Sequence, residues 1–371
     1  MVKKLLLAGG GHAHMMTLAN LNGFVEKGYQ VTVIQPSPYH YYSGMGPGML
    51  GKTYSPEEIR FATRQVVEKQ GGTFILGKVA QVDPISSIVH LESGQTVPYD
   101  TVSFNIGSHV PESIISDRTE NIFTVKPIER LKEAQEKILE SGAKKTVKVC
   151  VIGGGASSVE IAGNVWGLTN RPDVHPADIK VFARTSIMAR FPDRVRSRAV
   201  QSLLRRNIEI FEHSNVSAVQ HGTIALESSQ TFTADIIFVA VGVQPSPVFK
   251  KSGLTVGPEG GLVVNKYLQS VDYPNIFGGG DCIYFKESPL DKVGVYAVRE
   301  NPVLLHNLMA SLGGAKLQEF KPGGDYLLIF NLGDGTGIFR KKFLLFGGRV
   351  AFMLKDYIDR RFIKKFQALE N

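Results

Sequence analysis

Two glycine-rich turns, Gly9-Gly10-Gly11-His12-Ala13-His14 and Gly153-Gly154-Gly155-Ala156-Ser157-Ser158, stand about 144 residues apart, each directly after an apolar run. A strand that ends in such a turn and reopens as a helix aims unpaired backbone N–H groups at a pyrophosphate. A third signal, Asn275-Ile276-Phe277-Gly278-Gly279-Gly280-Asp281, closes the set. Two fingerprints followed by an apolar-Gly-Asp strand end are what a protein holding a flavin and a nicotinamide side by side requires. The expectation is a flavin-dependent oxidoreductase.

The surrounding pattern predicts strands at 3–8 and 30–34 flanking a helix from about His12 to Lys27, and a second such unit from strand Val147–Ile152, helix Ser157–Leu168 and strand Ile179–Phe182, with Gly167–Pro176 as a loop. Strand–helix alternation argues for parallel sheets and an α/β fold. Thr73–Val97 reads as short strands, Tyr99–Ile106 as a strand ending in Gly107, Ile128–Leu139 as a helix, and Ala234–Val241 as a strand ending in Gly242. The expected organisation is two Rossmann-like dinucleotide-binding domains. A discontinuous FAD domain is expected from 1–112 and 246–322, an inserted NAD(P) domain from 113–245, and a C-terminal tail of short strands and a final helix from 323–371.

With 371 residues the chain is long enough for two such domains. Its two cysteines, Cys150 and Cys282, are far apart and lack metal-site or disulfide spacing, which fits a reducing, cytoplasmic compartment and indicates no metal centre. The apolar start after Lys4 is shorter than a secretory core of about seven to fifteen residues. No run approaches the roughly eighteen apolar residues of a spanning helix. The net charge of +8 concentrates in Arg184–Arg206 and in Arg340–Asn371. An anionic cofactor suits the first block and a membrane surface the second, while the absence of a nucleic-acid motif argues against RNA or DNA.

The chemistry can be placed on particular residues. Gly9 permits the tight bend and Gly11 the close approach of pyrophosphate, with His12 and Ala13 opening the helix. His14 occupies the third fingerprint position, where it either pushes the helix off the strand or points outward. Gln35 replaces the usual ribose-binding acid. Asp281, beside Gly280, is expected to accept from a ribityl hydroxyl, and a helix from about Tyr296 to Leu312, including Ala297, to aim its first N–H groups at the flavin pyrimidine. In the second unit Gly153, Gly155 and Ala156 form the cradle. Glu160 is either an exposed helix former or a group beside the nicotinamide. Arg184 suits a 2′-phosphate, so NADPH stands beside NADH.

The chain resembles the two-dinucleotide-binding flavoproteins that include type II NADH dehydrogenases and sulfide:quinone oxidoreductases. Within them it is most similar to the NADH-dehydrogenase-like domain found fused to selenide, water dikinase. The resemblance rests on the first glycine turn, Tyr42-Ser43-Gly44-Met45-Gly46-Pro47-Gly48, Tyr54-Ser55-Pro56-Glu57-Glu58-Ile59, Asn105-Ile106-Gly107-Ser108, Val125-Lys126-Pro127, Val293-Gly294-Val295-Tyr296-Ala297-Val298-Arg299 and Lys355-Asp356-Tyr357-Ile358-Asp359-Arg360-Arg361-Phe362. It implies bound FAD, hydride transfer from NAD(P)H, and reoxidation by a second acceptor such as a quinone. Ser43 to Pro47 fall where disulfide reductases carry a cysteine pair, and none is present here. By resemblance Lys126 reaches the flavin N5 edge with Glu160 as its partner; the bland alternative is a surface lysine before Pro127. The other functions in play are an oxidoreductase acting on a sulfur or selenium compound and a low-turnover flavin-bound redox sensor.

In the tail Val350, Met353, Leu354, Tyr357, Ile358, Phe362 and Phe366 recur at helical spacing opposite Lys355, Asp359, Arg360, Lys364 and Lys365. Packing of that stripe on its own protein or on a second subunit is the leading expectation, and peripheral membrane binding its rival.

Overall fold

The computed structural model describes residues 2–117 and 120–370. Two five-stranded parallel sheets organise the chain. The first runs in the order Ile276–Gly278, Thr101–Phe104, Lys4–Ala8, Gln30–Gln35, Thr73–Leu76. The second runs Ile122–Thr124, Ile236–Val239, Lys148–Ile152, Asp178–Phe182, Glu209–Phe211. In each, the strand that feeds a glycine turn is central. Leu5–Leu7, Val149–Val151 and Phe238 are essentially fully buried, as strands covered on both faces must be. Each buried leucine or valine contributes about 1.5–3 kcal/mol.

A three-stranded antiparallel meander accompanies each sheet, Val79–Pro98 with the first and Val216–Thr233 with the second. The two passages of chain between the sheets lie side by side, with Ser108–His109 antiparallel to Gln244–Pro245. The first sheet is therefore discontinuous in sequence, since its edge strand Ile276–Gly278 follows the whole of the second sheet. A final hairpin sheet of Leu328–Asn331, Gly337–Lys341 and Leu344–Gly348 leads into helix Arg349–Gln367.

Two predicted elements differ. The helix expected over 12–27 is a 3-10 turn at His12–His14 followed by single turns at Met15–Leu18 and Asn22–Val25. Asn301, from the long helix Gly294–Gly313, accepts from the Met16 N–H and donates to the His12 carbonyl, and Asn20 turns back on the Met16 carbonyl. Side chains thus take the backbone groups that a continuous helix would pair. The second-turn helix runs on through Gly167 to Thr169. Gly163 and Gly167 lie one turn apart on it, and a Cβ at either would strike the carbonyl of Leu332 or Gly333, so this bare strip seats the tail.

The tail helix packs as expected at Phe366 and half-buries Leu354 and Phe362, but the rest of the expected apolar stripe is turned outward. Its buried face is Ala351, Lys355, Asp359, Ile363 and Phe366, while Val350 (66% exposed), Met353 (67%) and Tyr357 (60%) face outward. The reason is the set of partners waiting for the charged pair beneath it.

Candidate active site

The first turn is held by side chains. Gly9, at φ +88°, lies so close to the Asn105 carbonyl that no Cβ fits, and its N–H donates to the Ile34 carbonyl at 2.8 Å. Asn105 accepts from the Ala13 N–H at 3.1 Å and donates to the Gly279 carbonyl at 2.7 Å, joining the glycine turn to the strand end that precedes Asp281. Its amide also fills the space a Cβ on Gly11 would need. His14 is neither turned outward nor a wedge: it is fully buried, with Nδ1 2.6 Å from the Gly9 carbonyl and Nε2 2.7 Å from Ser103 Oγ. Burial pushes its pKa down to about 4, so it serves as a neutral clamp.

Buried polar atoms at this turn, His12 Nε2 and Gln35 Oε1 among them, have no partner among the described residues. Gln35 spends its amide nitrogen on the Ser37 and Tyr39 carbonyls, leaving the oxygen over Gly10. Orphaned buried polar atoms beside a turn that excludes every Cβ are what a dinucleotide would satisfy. His12 is also pushed down to about 4 by burial, is 3.3 Å from His40 through Nδ1, and stacks on Phe362 at 6.1 Å.

Asp281 is nearly enclosed. Lys126 Nζ donates to its Oδ2 at 2.6 Å and Ser108 Oγ at 2.8 Å. Burial alone would raise this carboxyl, and the lysine charge with these hydrogen bonds more than offsets that, so it titrates below its ordinary value. Lys126 therefore meets Asp281, not the Glu160 partner implied by resemblance, and its side chain is 27% exposed. Gly280, at φ +73°, donates its N–H to Glu300 Oε2 at 2.5 Å. Glu300 is buried on the first turns of the long helix, which starts at Gly294, two residues before the expected Tyr296. Burial pushes it up to about 7. Ala297 packs over Gly280, and Tyr296, whose ring lies 5.5 Å from that of Tyr326, lines a small cavity together with Gly280, Asp281 and Glu300.

In the second turn Gly153, at φ +140°, repeats the Gly9 geometry, with the Ala240 carbonyl in the place of a Cβ and a 2.8 Å bond to the Phe182 carbonyl. Gly155 and Ala156 open the helix with nothing within 4 Å of a Cβ on Gly155. Gly107 and Gly242, both at positive φ, likewise border open space. Arg184 and Arg190 are exposed on the loop after Phe182, and no ion pair engages Arg184 among the described residues.

Glu160 is half-buried against the tail. Its Oε1 accepts from the Asn331 N–H at 2.8 Å, and burial pushes it up to about 7 against the pull of Lys355 and that hydrogen bond. Lys355 Nζ donates to the Gly44 carbonyl at 2.8 Å and to Asp359 Oδ2 at 2.6 Å. Tyr42 donates to Asp359 Oδ1 at 3.1 Å. Ser43 opens a 3-10 turn and Pro47 sits in the short helix Gly46–Leu50 of the same segment. Asn105, Glu300 and the Lys355–Asp359–Tyr42 group were not assigned from sequence. A Lys–Asp pair four residues apart on an amphipathic helix has the signature of an ordinary surface pair. Cys150 and Cys282 are buried, unlinked and pushed up to about 12 by desolvation, so neither offers a thiolate.

Residues 3–307 match the pyridine nucleotide-disulphide oxidoreductase family, and the chain belongs to it. It is an α/β oxidoreductase with FAD as its cofactor and NAD(P)H as its co-substrate. Among curated relatives it is 25% identical to the type II NADH:quinone oxidoreductase of Staphylococcus saprophyticus, covering 98% of this chain and 96% of that one. It is 23% identical to the NADH dehydrogenase-like protein YutJ of Bacillus subtilis, covering 78% and 79%. The structure superposes on NDH2 from Plasmodium falciparum with a TM-score of 0.83 at 14% identity, over 100% of this chain and 97% of that one. It superposes on the sulfide:quinone oxidoreductase of Aquifex aeolicus with a TM-score of 0.78 at 19% identity, over 99% and 92%.

Proposed function

We propose that this enzyme oxidises NADH or NADPH at its FAD and passes the electrons to a quinone at a membrane surface. FAD belongs in the discontinuous unit of 1–112 and 246–322, where Gly9, Gly11, His12, Ala13, Gln35 and Asp281 form the cradle. NAD(P)H belongs in 113–245, over Gly153, Gly155 and Ala156. Held there, FAD would supply two-electron hydride chemistry between the nicotinamide and the second substrate. Asp281 would accept from a ribityl hydroxyl, and Lys126, held beside it, would supply positive charge at the flavin edge.

The observation that carries the acceptor reading is the segment 43–48, which contains no thiol that could relay electrons, and this supports a diffusible acceptor. A curated relative that covers 98% of the chain is a type II NADH:quinone oxidoreductase by name, which supports the same reading. The outward face of the tail supports the membrane. Phe343 is 97% exposed at the hairpin tip, with Leu344, Val350, Met353 and Tyr357 also outward and Lys341, Lys342, Arg349 and Arg361 exposed around them. No helix among the described residues is long and apolar enough to cross a membrane.

Anaerobic mixing with NADH or NADPH should bleach the flavin band, and a soluble short-chain quinone should restore it. No bleaching by either coenzyme would refute the dehydrogenase reading, and bleaching without recovery would refute the quinone. Phe343→Glu with Met353→Glu should abolish sedimentation with anionic vesicles while leaving NAD(P)H-driven bleaching intact; undiminished sedimentation would refute the docking face.

A further inference from the structure

The helix Asp193–Leu204 of the second unit turns Val195, Ala199 and Leu203 into the core, which leaves Arg194, Ser197, Arg198 and Gln201 on its outward side. The tail hairpin lies against it, and between them runs a groove of about 560 Å³ whose other wall is Phe343 and Leu345. That volume is in the range of small-molecule sites. Arg198 reaches across the groove, its Nη1 3.3 Å from where a Cβ on Gly347 would stand. Neither Arg194 nor Arg198 is engaged by an ion pair or a side-chain hydrogen bond among the described residues, whereas Arg196 between them is turned away to Glu212 at 2.8 Å. Asp193 is the acid of the lining, and Lys341 and Lys342 stand exposed beside Phe343, so the groove is net positive. Two guanidinium groups one helical turn apart and without a carboxylate, facing an almost fully exposed phenylalanine ring, suit a ligand that is anionic at one end and apolar at the other.

We propose that this groove holds the headgroup of an anionic phospholipid, with Arg194 and Arg198 on the phosphate and Phe343 and Leu345 against the start of the acyl chains. The proposal deepens the membrane reading above and rests on it. What it adds is a lipid site on the coenzyme-binding unit: the tail supplies the apolar contact, and the charge comes from the helix Asp193–Leu204. A soluble phosphate or a nucleic acid would use the arginines and leave Phe343 and Leu345 in water. A purely apolar membrane contact would use Phe343 and leave two unpaired arginines facing the groove. Phe343 belongs both to the groove and to the outward face of the tail, so a lipid seated here is continuous with the bilayer that face meets. Arginine suits the phosphate because its planar fork donates two parallel hydrogen bonds to it. One such lipid bridges the tail and the second unit, and so holds the NAD(P)H site at the membrane surface.

The test is sedimentation of the flavin-loaded enzyme with vesicles of phosphatidylcholine alone and of phosphatidylcholine mixed with phosphatidylglycerol. Wild type should bind the anionic vesicles about tenfold more tightly. Arg194→Gln with Arg198→Gln should remove most of that difference and leave binding to phosphatidylcholine as it was, and Arg194→Lys with Arg198→Lys should recover it in part. Lys250→Gln with Lys251→Gln, an equal loss of charge on the helix Val248–Lys251, should keep the wild-type selectivity. An equal fall in the arginine and lysine pairs would reduce the effect to net charge and overturn the site. A raised KM for NADPH in the arginine pair with unchanged vesicle binding would give these residues to the coenzyme and overturn it too. Inorganic phosphate that releases the enzyme from vesicles better than chloride at the same ionic strength would assign the groove to a free anion instead of a lipid. Wild-type enzyme that binds both vesicle types equally would overturn the headgroup site and leave the apolar membrane face standing. Binding to neither would overturn both.

Discussion

The two glycine turns share a backbone and differ in how firmly they are held. Gly9 and Gly153 both sit at positive φ, each against a carbonyl of the neighbouring strand end. Beyond that the first turn is fastened by Asn105, His14 and Asn301, which together tie strand, turn and long helix. The second is looser. Ser158 Oγ, at the position equivalent to His14, has no partner among the described residues, and the space over Gly155 is open. Backbone bonds tie it, from Met188 to the Gly154 carbonyl and from Gly153 to the Phe182 carbonyl. A rigid turn suits a cofactor that stays, because preorganisation slows its release; an open one suits a co-substrate that must leave every cycle.

The largest effect expected from this contrast lies on the fixed side. Asp281→Ala strips Lys126 and Ser108 of their partner and should leave the purified protein with less than about a tenth of the wild-type flavin, read from the ratio of flavin to protein absorbance. Full retention would break the assignment of Asp281 to the cofactor.

Glycine-to-alanine changes at equivalent positions separate the two turns next. Gly11→Ala forces Asn105 out of its hydrogen bonds and should cost about 1–3 kcal/mol, seen as a lower melting temperature and weaker flavin retention. Gly155→Ala meets no atom within 4 Å and should melt as wild type while raising the KM for NAD(P)H. Equal melting temperatures for the two would remove the distinction.

On the open side, Arg184→Glu places a negative charge where a 2′-phosphate would lie. It should lower kcat/KM for NADPH relative to NADH by about tenfold, a change of ~1.4 kcal/mol. An unchanged ratio means that Arg184 does not read that phosphate.

The smallest effect concerns Glu160, whose pKa in the folded protein is about 7, above its ordinary 4.5. Between these values the folded state binds a proton that the unfolded chain does not. This stabilisation is full below about pH 4.5 and is lost as pH rises to 7. Glu160→Gln keeps an acceptor for the Asn331 N–H and should therefore melt with a shallower decline between pH 5 and pH 8 than wild type. Glu300 titrates in the same window in both proteins, so the difference between the two melting curves isolates Glu160.

Much of this was legible in the residues. The glycine turns, the Gly-Asp strand end and the apolar strand runs are local patterns, because a bend at positive φ, a close backbone approach and a doubly covered strand each impose their residue types on a short stretch of chain. The strands that flank the glycine turns could be read to within a residue or two, whereas the edge strands Ile122–Thr124 and Glu209–Phe211 were not read, and the interruption of the first helix could not be, since Asn301 reaches it from 285 positions away. The fate of His14 was equally hidden: its partner Ser103 belongs to another strand, and only the parallel register places that hydroxyl beneath the ring.

The tail shows the division most sharply. Amphipathic spacing established that a helix forms over its last residues, since period and propensity are properties of the segment. Which face turns inward was settled by the rest of the molecule. A buried Lys355–Asp359 pair becomes tolerable only where the Gly44 carbonyl and the Tyr42 hydroxyl meet it, and those groups come from more than 300 residues earlier in the chain. Hydrophobic patterning ranks faces by their average cost of burial, whereas folding ranks them by whether each polar atom finds its own partner.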